Sequence, residues 1–104
     1  MRGFWLLPIV LLLPALVVRA DDQTALIRLV RQDCGACHGM TLQGGLGTPL
    51  TAQALREKPV ESLVATILYG RPGTAMPGWH SMLSESDALW IAGRLQQGFP
   101  EERR

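Results

Sequence analysis

Two thiols and an imidazole fall within five consecutive residues, Cys34-Gly35-Ala36-Cys37-His38, and that spacing narrows the chemistry to three options. Thiols three positions apart can close a redox disulfide, supply half of a tetrahedral metal site, or add across the two vinyl groups of a porphyrin, the adjacent imidazole then sitting beneath the iron. A structural zinc site needs four ligands at finger-like spacing. Cys34 and Cys37 are the chain's two cysteines, and its second histidine, His80, lies far downstream. A thioredoxin-like dithiol follows a strand in a βαβ unit, whereas the residues before Cys34 carry helical periodicity. What remains is the attachment motif of c-type haem, with Cys34 and Cys37 as covalent anchors of one haem and His38 as the proximal iron ligand.

Iron held by one imidazole has a sixth position to fill, and its occupant separates an electron carrier from a gas sensor or peroxidase. Met76, His80 and Met82 are the candidates. Met76 is favoured because Gly73-Thr74-Ala75-Met76-Pro77-Gly78-Trp79 is a constrained loop, which presents a weak thioether ligand with little entropy left to lose. Met82, beside Leu83, reads as core filler, and His80 as a partly exposed neighbour of Trp79 that takes over the iron if Met76 is displaced. Proximal imidazoles donate their other ring N–H to a carbonyl, and Pro49, eleven residues on, is placed to supply one. Arg71 and Trp79 are candidates for pairing with the haem propionates, and Tyr69 for reaching toward the ring.

These groups need a scaffold, and hydrophobic spacing predicts a helical one. Over residues 21–34, Ala25, Leu26, Leu29, Val30 and Cys34 recur at helical intervals, with Asp21 or Asp22 available as N-cap. Four glycines within residues 39–49 predict a loop wrapping one face of the haem. A short helix is expected over 51–56. A third begins with Pro59 at its first position, buries Val60, Leu63, Val64, Ile67 and Leu68, and stops at Gly70. Residues 71–80 read as a constrained loop. Ser84 and Asp87 resemble a capping box opening a last helix with Ala88, Leu89, Ile91, Ala92 and Leu95 inward. Trp90 is expected to pack that helix on the first, with Gly93 permitting close approach. No segment has the period of a half-buried strand, so the fold class is all-α. Residues 101–104 read as a solvated tail.

Ahead of this domain, Arg2, an apolar run over 4–18 and Val18-Arg19-Ala20 form a secretory signal with a cleavage site after Ala20. The run contains two prolines and is shorter than the roughly 20 apolar residues a membrane span requires. The expected organisation is a signal peptide, 1–20, and one domain, 21–104, exported to the periplasm without a stable membrane anchor. Removing Arg2 and Arg19 with the leader leaves eight basic against nine acidic residues, a formal charge of −1, which argues against nucleic acid as partner. So small a domain buries a modest share of its surface. The apolar plate of the haem is therefore expected to complete the core, and the haem-free chain to be largely unfolded.

In this order, Cys-Gly-Ala-Cys-His-Gly, Pro49 and Gly-Thr-Ala-Met-Pro-Gly-Trp resemble a class I cytochrome c, over essentially all of residues 21–98. The resemblance implies about four helices around one covalent haem c, thioethers at Cys34 and Cys37, axial ligands His38 and Met76, and Pro49 as carbonyl partner of His38. More narrowly, the run from Ile67 to Trp79 looks like the cytochrome c55X group, small periplasmic cytochromes of denitrification. That implies service to the cytochrome cd1 nitrite reductase system, as electron donor to the reductase or redox partner in haem d1 biosynthesis. The function expected is one-electron transport, not enzymatic catalysis, by a chain monomeric by default, with a Gly- and Pro-rich hinge that would permit domain swapping. The alternative is a haem protein whose Met76 swings away so that the iron senses or processes nitric oxide or peroxide.

Overall fold

The computed structural model describes residue 8 and residues 20–102. The signal-peptide expectation falls outside these residues. Among them there is no strand, and no helix is long and apolar enough to cross a membrane.

The first rod is continuous but not uniform. Helix α1, Ala20–Leu29, passes into a π-helical turn, Val30–Cys34, and then into α2, Gly35–His38. The Gly35 N–H bonds to Val30 O, five residues back, so one extra residue is accommodated just ahead of the two thiols. Such insertions are uncommon and occur frequently at functional positions. Asp21 and Asp22 lie inside α1 rather than capping it. Leu26 and Leu29 pack on the core and Val30 is fully buried, whereas Ala25, expected inward, is exposed.

Helix α3, Ala52–Leu55, is one turn opened by Thr51, whose hydroxyl accepts from Ala54 N–H at 3.2 Å. Helix α4, Val60–Tyr69, follows with Pro59 as N-cap, one place earlier than expected, and its carbonyl accepts from Ser62 and Leu63. Helix α5, Glu85–Gln97, opens with the expected capping box: Ser84 Oγ accepts from Asp87 N–H and the Asp87 carboxylate from Ser84 N–H, each at 3.0 Å. With α1 through α2 counted as one rod, these are the four helices expected.

Helix α5 is the spine. It packs along α4 and against α3 and contributes Ala88, Ile91 and Leu95 to a core with Val30, Leu42, Leu55, Leu68 and Leu83. Each large aliphatic residue buried there stabilises the fold by about 1.5–3 kcal/mol relative to exposure. Gln96 adds a polar tie, its Nε2 donating to Leu55 O at 3.2 Å and Lys58 O at 2.7 Å, which fixes the link between α3 and α4.

Several expectations are corrected. Leu89 points outward and is half exposed, because it lies off the stripe through Ala88, Ile91, Ala92 and Leu95. A Cβ at Gly93 would meet nothing within 4 Å, so that glycine permits no close approach. Met82 is 65% exposed and fills no core, a role that falls to Leu83. Of the residues expected as a solvated tail, Glu101 is exposed, residues 103–104 lie outside the described ones, and Glu102 is held together with the segment just before it. Arg31 donates to Phe99 O at 2.7 Å and Pro100 O at 3.0 Å, while Glu102 meets Gln32 at 3.1 Å and Arg28 at 3.6 Å. Phe99 lies beneath the Arg31 guanidinium and edge-on to Trp90, which also borders a cleft with Gln23, Thr24 and Ile27 of α1.

Candidate functional site

The rod that ends at His38 would leave its imidazole free to rotate were it not for the glycine-rich loop that folds back beneath it. Gly44 N–H bonds to His38 O at 2.8 Å and Gly47 N–H to Cys37 O at 2.7 Å. These bonds press Gly47 flat against the ring: a Cβ there would sit 2.7 Å from both Nδ1 and Cε1 of His38. The next carbonyl completes the arrangement, His38 Nδ1 lying 2.7 Å from Thr48 O. A carbonyl oxygen can only accept, so Nδ1 carries the proton and Nε2 keeps its lone pair for a metal. The carbonyl partner is therefore Thr48, not Pro49. Pro49 instead forms part of the wall of the cleft beside the ring.

That cleft, about 450 Å³, is where the site residues meet. Cys34 and His38 line it from the first rod and Met76 and Trp79 from the loop after α4. Leu63 and Ile67 of α4 and Ile91 and Leu95 of α5 form its apolar floor. Arg71 borders it with an exposed side chain. Cys37 is exposed, on the turn beside the cleft. His80 and Met82 are not on the wall, and Tyr69 is 69% exposed, with its ring on His80 at 5.9 Å between centroids, so it does not reach inward. Of the three candidates for the sixth position, Met76 alone faces the same space as His38.

The loop carrying Met76 is held as tightly as the one beneath His38. Gly70 ends α4 with φ +74°, a region that strains other residues, and a Cβ there would lie 2.6 Å from Met76 O. Thr74 Oγ1 donates to Arg71 O at 2.7 Å and accepts from Met76 N–H at 3.3 Å. Trp79 and His80 N–H then bond to Ile67 O and Leu68 O. The thioether is thus presented from a backbone fixed on both sides.

Cys34 is half-buried and Cys37 exposed. Burial, then the neighbouring Asp33 carboxylate, and to a lesser degree Cys37, push the Cys34 thiol up to about 11. That is opposite to the depressed pKa of a dithiol redox centre. No group of three or more His, Cys, Asp or Glu suited to a metal ion exists among the described residues. The donor set instead fits a tetrapyrrole: one apolar cleft whose lining includes a thiol, an imidazole with a free nitrogen and a thioether.

Comparison with known proteins agrees with this geometry. The family model described as "Cytochrome C oxidase, cbb3-type, subunit III" matches residues 21–93. Cytochrome c55X of Stutzerimonas stutzeri is 46% identical over 101 residues, covering 97% of this chain and 87% of that protein. The solved structure of the c-type cytochrome NirC superposes with a TM-score of 0.73 at 56% identity, covering 75% of this chain and 92% of that one. The structure "Dihydro-heme d1 dehydrogenase NirN in complex with DHE" superposes at 0.63 with 35% identity, over 74% of this chain but 17% of the larger protein. The chain belongs to the cytochrome c55X group of small class I c-type cytochromes associated with denitrification.

Proposed function

We propose that this protein is an exported monohaem cytochrome that passes one electron at a time, its haem joined to Cys34 and Cys37 and its iron held between His38 and Met76. The observation that carries the reading is a His38 ring fixed by Thr48 O that shares the lining of one apolar cleft with Met76. The bound haem would supply iron that cycles between ferric and ferrous states, at a potential raised by Met/His ligation.

The chain's part is to keep that cycle free of rearrangement. Thr48 O holds the Nδ1 proton, so the imidazole keeps its tautomer and orientation. Thr74 Oγ1 accepts from the Met76 N–H and Arg71 N–H donates to the Met76 carbonyl, so the backbone that carries the thioether is held on both sides, and Leu63, Ile67, Ile91 and Leu95 would shield a bound ring from water. The sensing or peroxidatic alternative needs a distal acid or base. His80 lies off the cleft, and no described Asp or Glu lines it.

The partner reading follows from chemistry. A dehydrogenase must hand electrons on, and this chain resembles about one sixth of the length of the dihydro-haem d1 dehydrogenase. A free-standing version of that cytochrome portion is suited to accept electrons from tetrapyrrole oxidation during haem d1 assembly. Delivery to cytochrome cd1 nitrite reductase is the other branch of the same system.

The test is the visible spectrum of the haem-loaded protein, ferric and ferrous, with and without carbon monoxide. A far-red iron–thioether band that disappears in Met76→Ala, together with a ferrous spectrum unchanged by carbon monoxide, is expected. Ready binding of carbon monoxide by the parent protein would overturn the closed-iron reading. Stopped-flow reduction by the dehydrogenase and oxidation by the reductase then separate the two partner branches.

A further inference from the structure

A second cleft, about 400 Å³, shares no lining residue with the first. Gln23, Thr24 and Ile27, three and four places apart on one face of α1, form one wall. Trp90 and Arg94, four apart on α5, form another, and the segment after α5 closes the cleft with Pro100 and Glu101. Its size is that of a small-molecule site, and its lining has the usual character of one: apolar surface from Ile27, Trp90 and Pro100 beside a few polar groups.

Arg94 is the group here that the fold leaves without a use. Its Nε is buried, and no described residue accepts the proton, a state that native interiors rarely tolerate. The two Nη groups are not closed off in this way. The guanidinium carbon stands 6.0 Å from the centre of the Trp90 ring, which Phe99 in turn braces edge-on at 6.0 Å, so the planar fork rests on a fixed surface. Its charge is unbalanced as well. Glu102 is engaged by Arg28 at 3.6 Å and Gln32 at 3.1 Å. Glu101 lies on the cleft wall, but its side chain is 94% exposed and meets Arg31 at 3.9 Å. Of the three arginines around the C-terminal segment, Arg94 is therefore the one with no carboxylate partner among the described residues.

We propose that the cleft between α1 and α5 binds a small carboxylate carried on a flat apolar body, with the Nη groups of Arg94 holding the carboxylate and Ile27 and the Trp90 indole receiving the body. A guanidinium is permanently charged and offers paired N–H donors in one plane, which a carboxylate accepts two at a time. The apolar wall selects against a bare anion such as phosphate, which has nothing to lay on Ile27 or Trp90. The cation selects against a neutral body of the same shape, and one charge-assisted hydrogen bond is enough for about tenfold discrimination.

The experiment is a titration of the haem-loaded ferrous protein with benzoate, benzyl alcohol, inorganic phosphate and sodium chloride at matched ionic strength, followed by nitrogen–proton NMR at the Arg94 Nε–H and the Trp90 indole N–H. Benzoate is expected to move both signals saturably, with benzyl alcohol and phosphate each at least about tenfold weaker. Arg94→Gln, read at the Trp90 signal, should lose about tenfold in benzoate affinity. Arg94→Lys, which keeps the charge but not the fork, should fall between. Arg56→Gln, at an exposed arginine that lines neither cleft, should leave the affinity unchanged. Shifts that do not saturate or that sodium chloride reproduces, phosphate or benzyl alcohol binding as tightly as benzoate, or full affinity in Arg94→Gln overturns the proposal. The comparison of the four probes on the parent decides it even where a variant fails to fold.

Discussion

Gly47→Ala is the sharpest probe of how His38 is held. The new methyl would stand 2.7 Å from Nδ1 and Cε1 of the imidazole, so either the ring tilts or the loop backs away. Moving the ring breaks the 2.7 Å bond to Thr48 O. Moving the loop breaks the 2.7 Å bond from Gly47 N–H to Cys37 O. Leaving one such half-buried partner unsatisfied costs about 1–3 kcal/mol. For a domain of this size about 2 kcal/mol lowers the melting temperature by roughly 8–16 °C. Gly93→Ala is the matched control: it lies inside α5, a Cβ there meets nothing within 4 Å, and alanine in a helix interior gains about 0.5–1 kcal/mol over glycine. Thermal melts of the two haem-loaded variants, followed in the Soret band and by circular dichroism, should therefore move in opposite directions. Potentiometry adds a second reading, because an imidazole that no longer donates from Nδ1 is a poorer donor to ferric iron and the midpoint should rise. A Gly47→Ala protein that melts within about 2 °C of the parent, or shifts in the same direction as Gly93→Ala, refutes the reasoning.

Three further outcomes are expected. Ser84→Ala removes one side of the α5 capping box and should cost about 1 kcal/mol, a drop of about 4–8 °C in the melt with an unaltered visible spectrum. Arg31→Ala frees the carbonyls of Phe99 and Pro100. It should make the C-terminal segment markedly more sensitive to carboxypeptidase, with Arg31→Lys intermediate; equal trimming of the parent would mean that the clamp does not hold in solution. In the folded structure Cys34 keeps its proton to about 11 against 9.0 when unperturbed. Any fold retained by the haem-free chain would thus be stabilised below pH 9 and lose that contribution between pH 9 and 11. At pH 8 it would also make Cys34 alkylation about a hundredfold slower than that of an unperturbed thiol. Because the haem is expected to complete the core, iodoacetamide should instead modify Cys34 and Cys37 of the haem-free chain at similar rates, and a large lag at Cys34 would show that the fold persists without it.

The parts of this molecule that could be read from residue types are those where the side chain itself does the work. Cysteine spacing, the Ser84 and Asp87 caps and the glycine at the end of α4 each state their role locally. The misreadings concern groups that carry no identity. Any residue offers a carbonyl, so the acceptor for His38 could be foreseen as a backbone oxygen in the loop but not assigned to Thr48 over Pro49; the register is set by where Gly47 can approach the ring. The π-helical turn is similarly silent, because its extra residue falls after Leu26 and Leu29 and leaves their helical stripe undisturbed. Leu89 and Met82 were misread because apolar character indicates that a residue can be buried, not which side of its element faces the core.

The clamp by Arg31 lies beyond local reading for a different reason. Its partners are 68 and 69 residues away, and nothing periodic links an arginine in the first rod to two carbonyls past the last helix. Yet its position bears on the site. Arg31 belongs to the π-helical turn that ends at Cys34, and its side chain is 11% exposed, so the turn that delivers the first thiol is braced from behind by the end of the chain. Another part of the cleft wall is braced by Gln96, which fixes Lys58 and Leu55 from α5. Both braces are polar side chains on backbone carbonyls, and they hold the two borders of the slot while its apolar floor supplies no directional contact of its own. A cleft built this way would keep its outline while a bound ring changed charge, which is the constancy the proposed one-electron role requires.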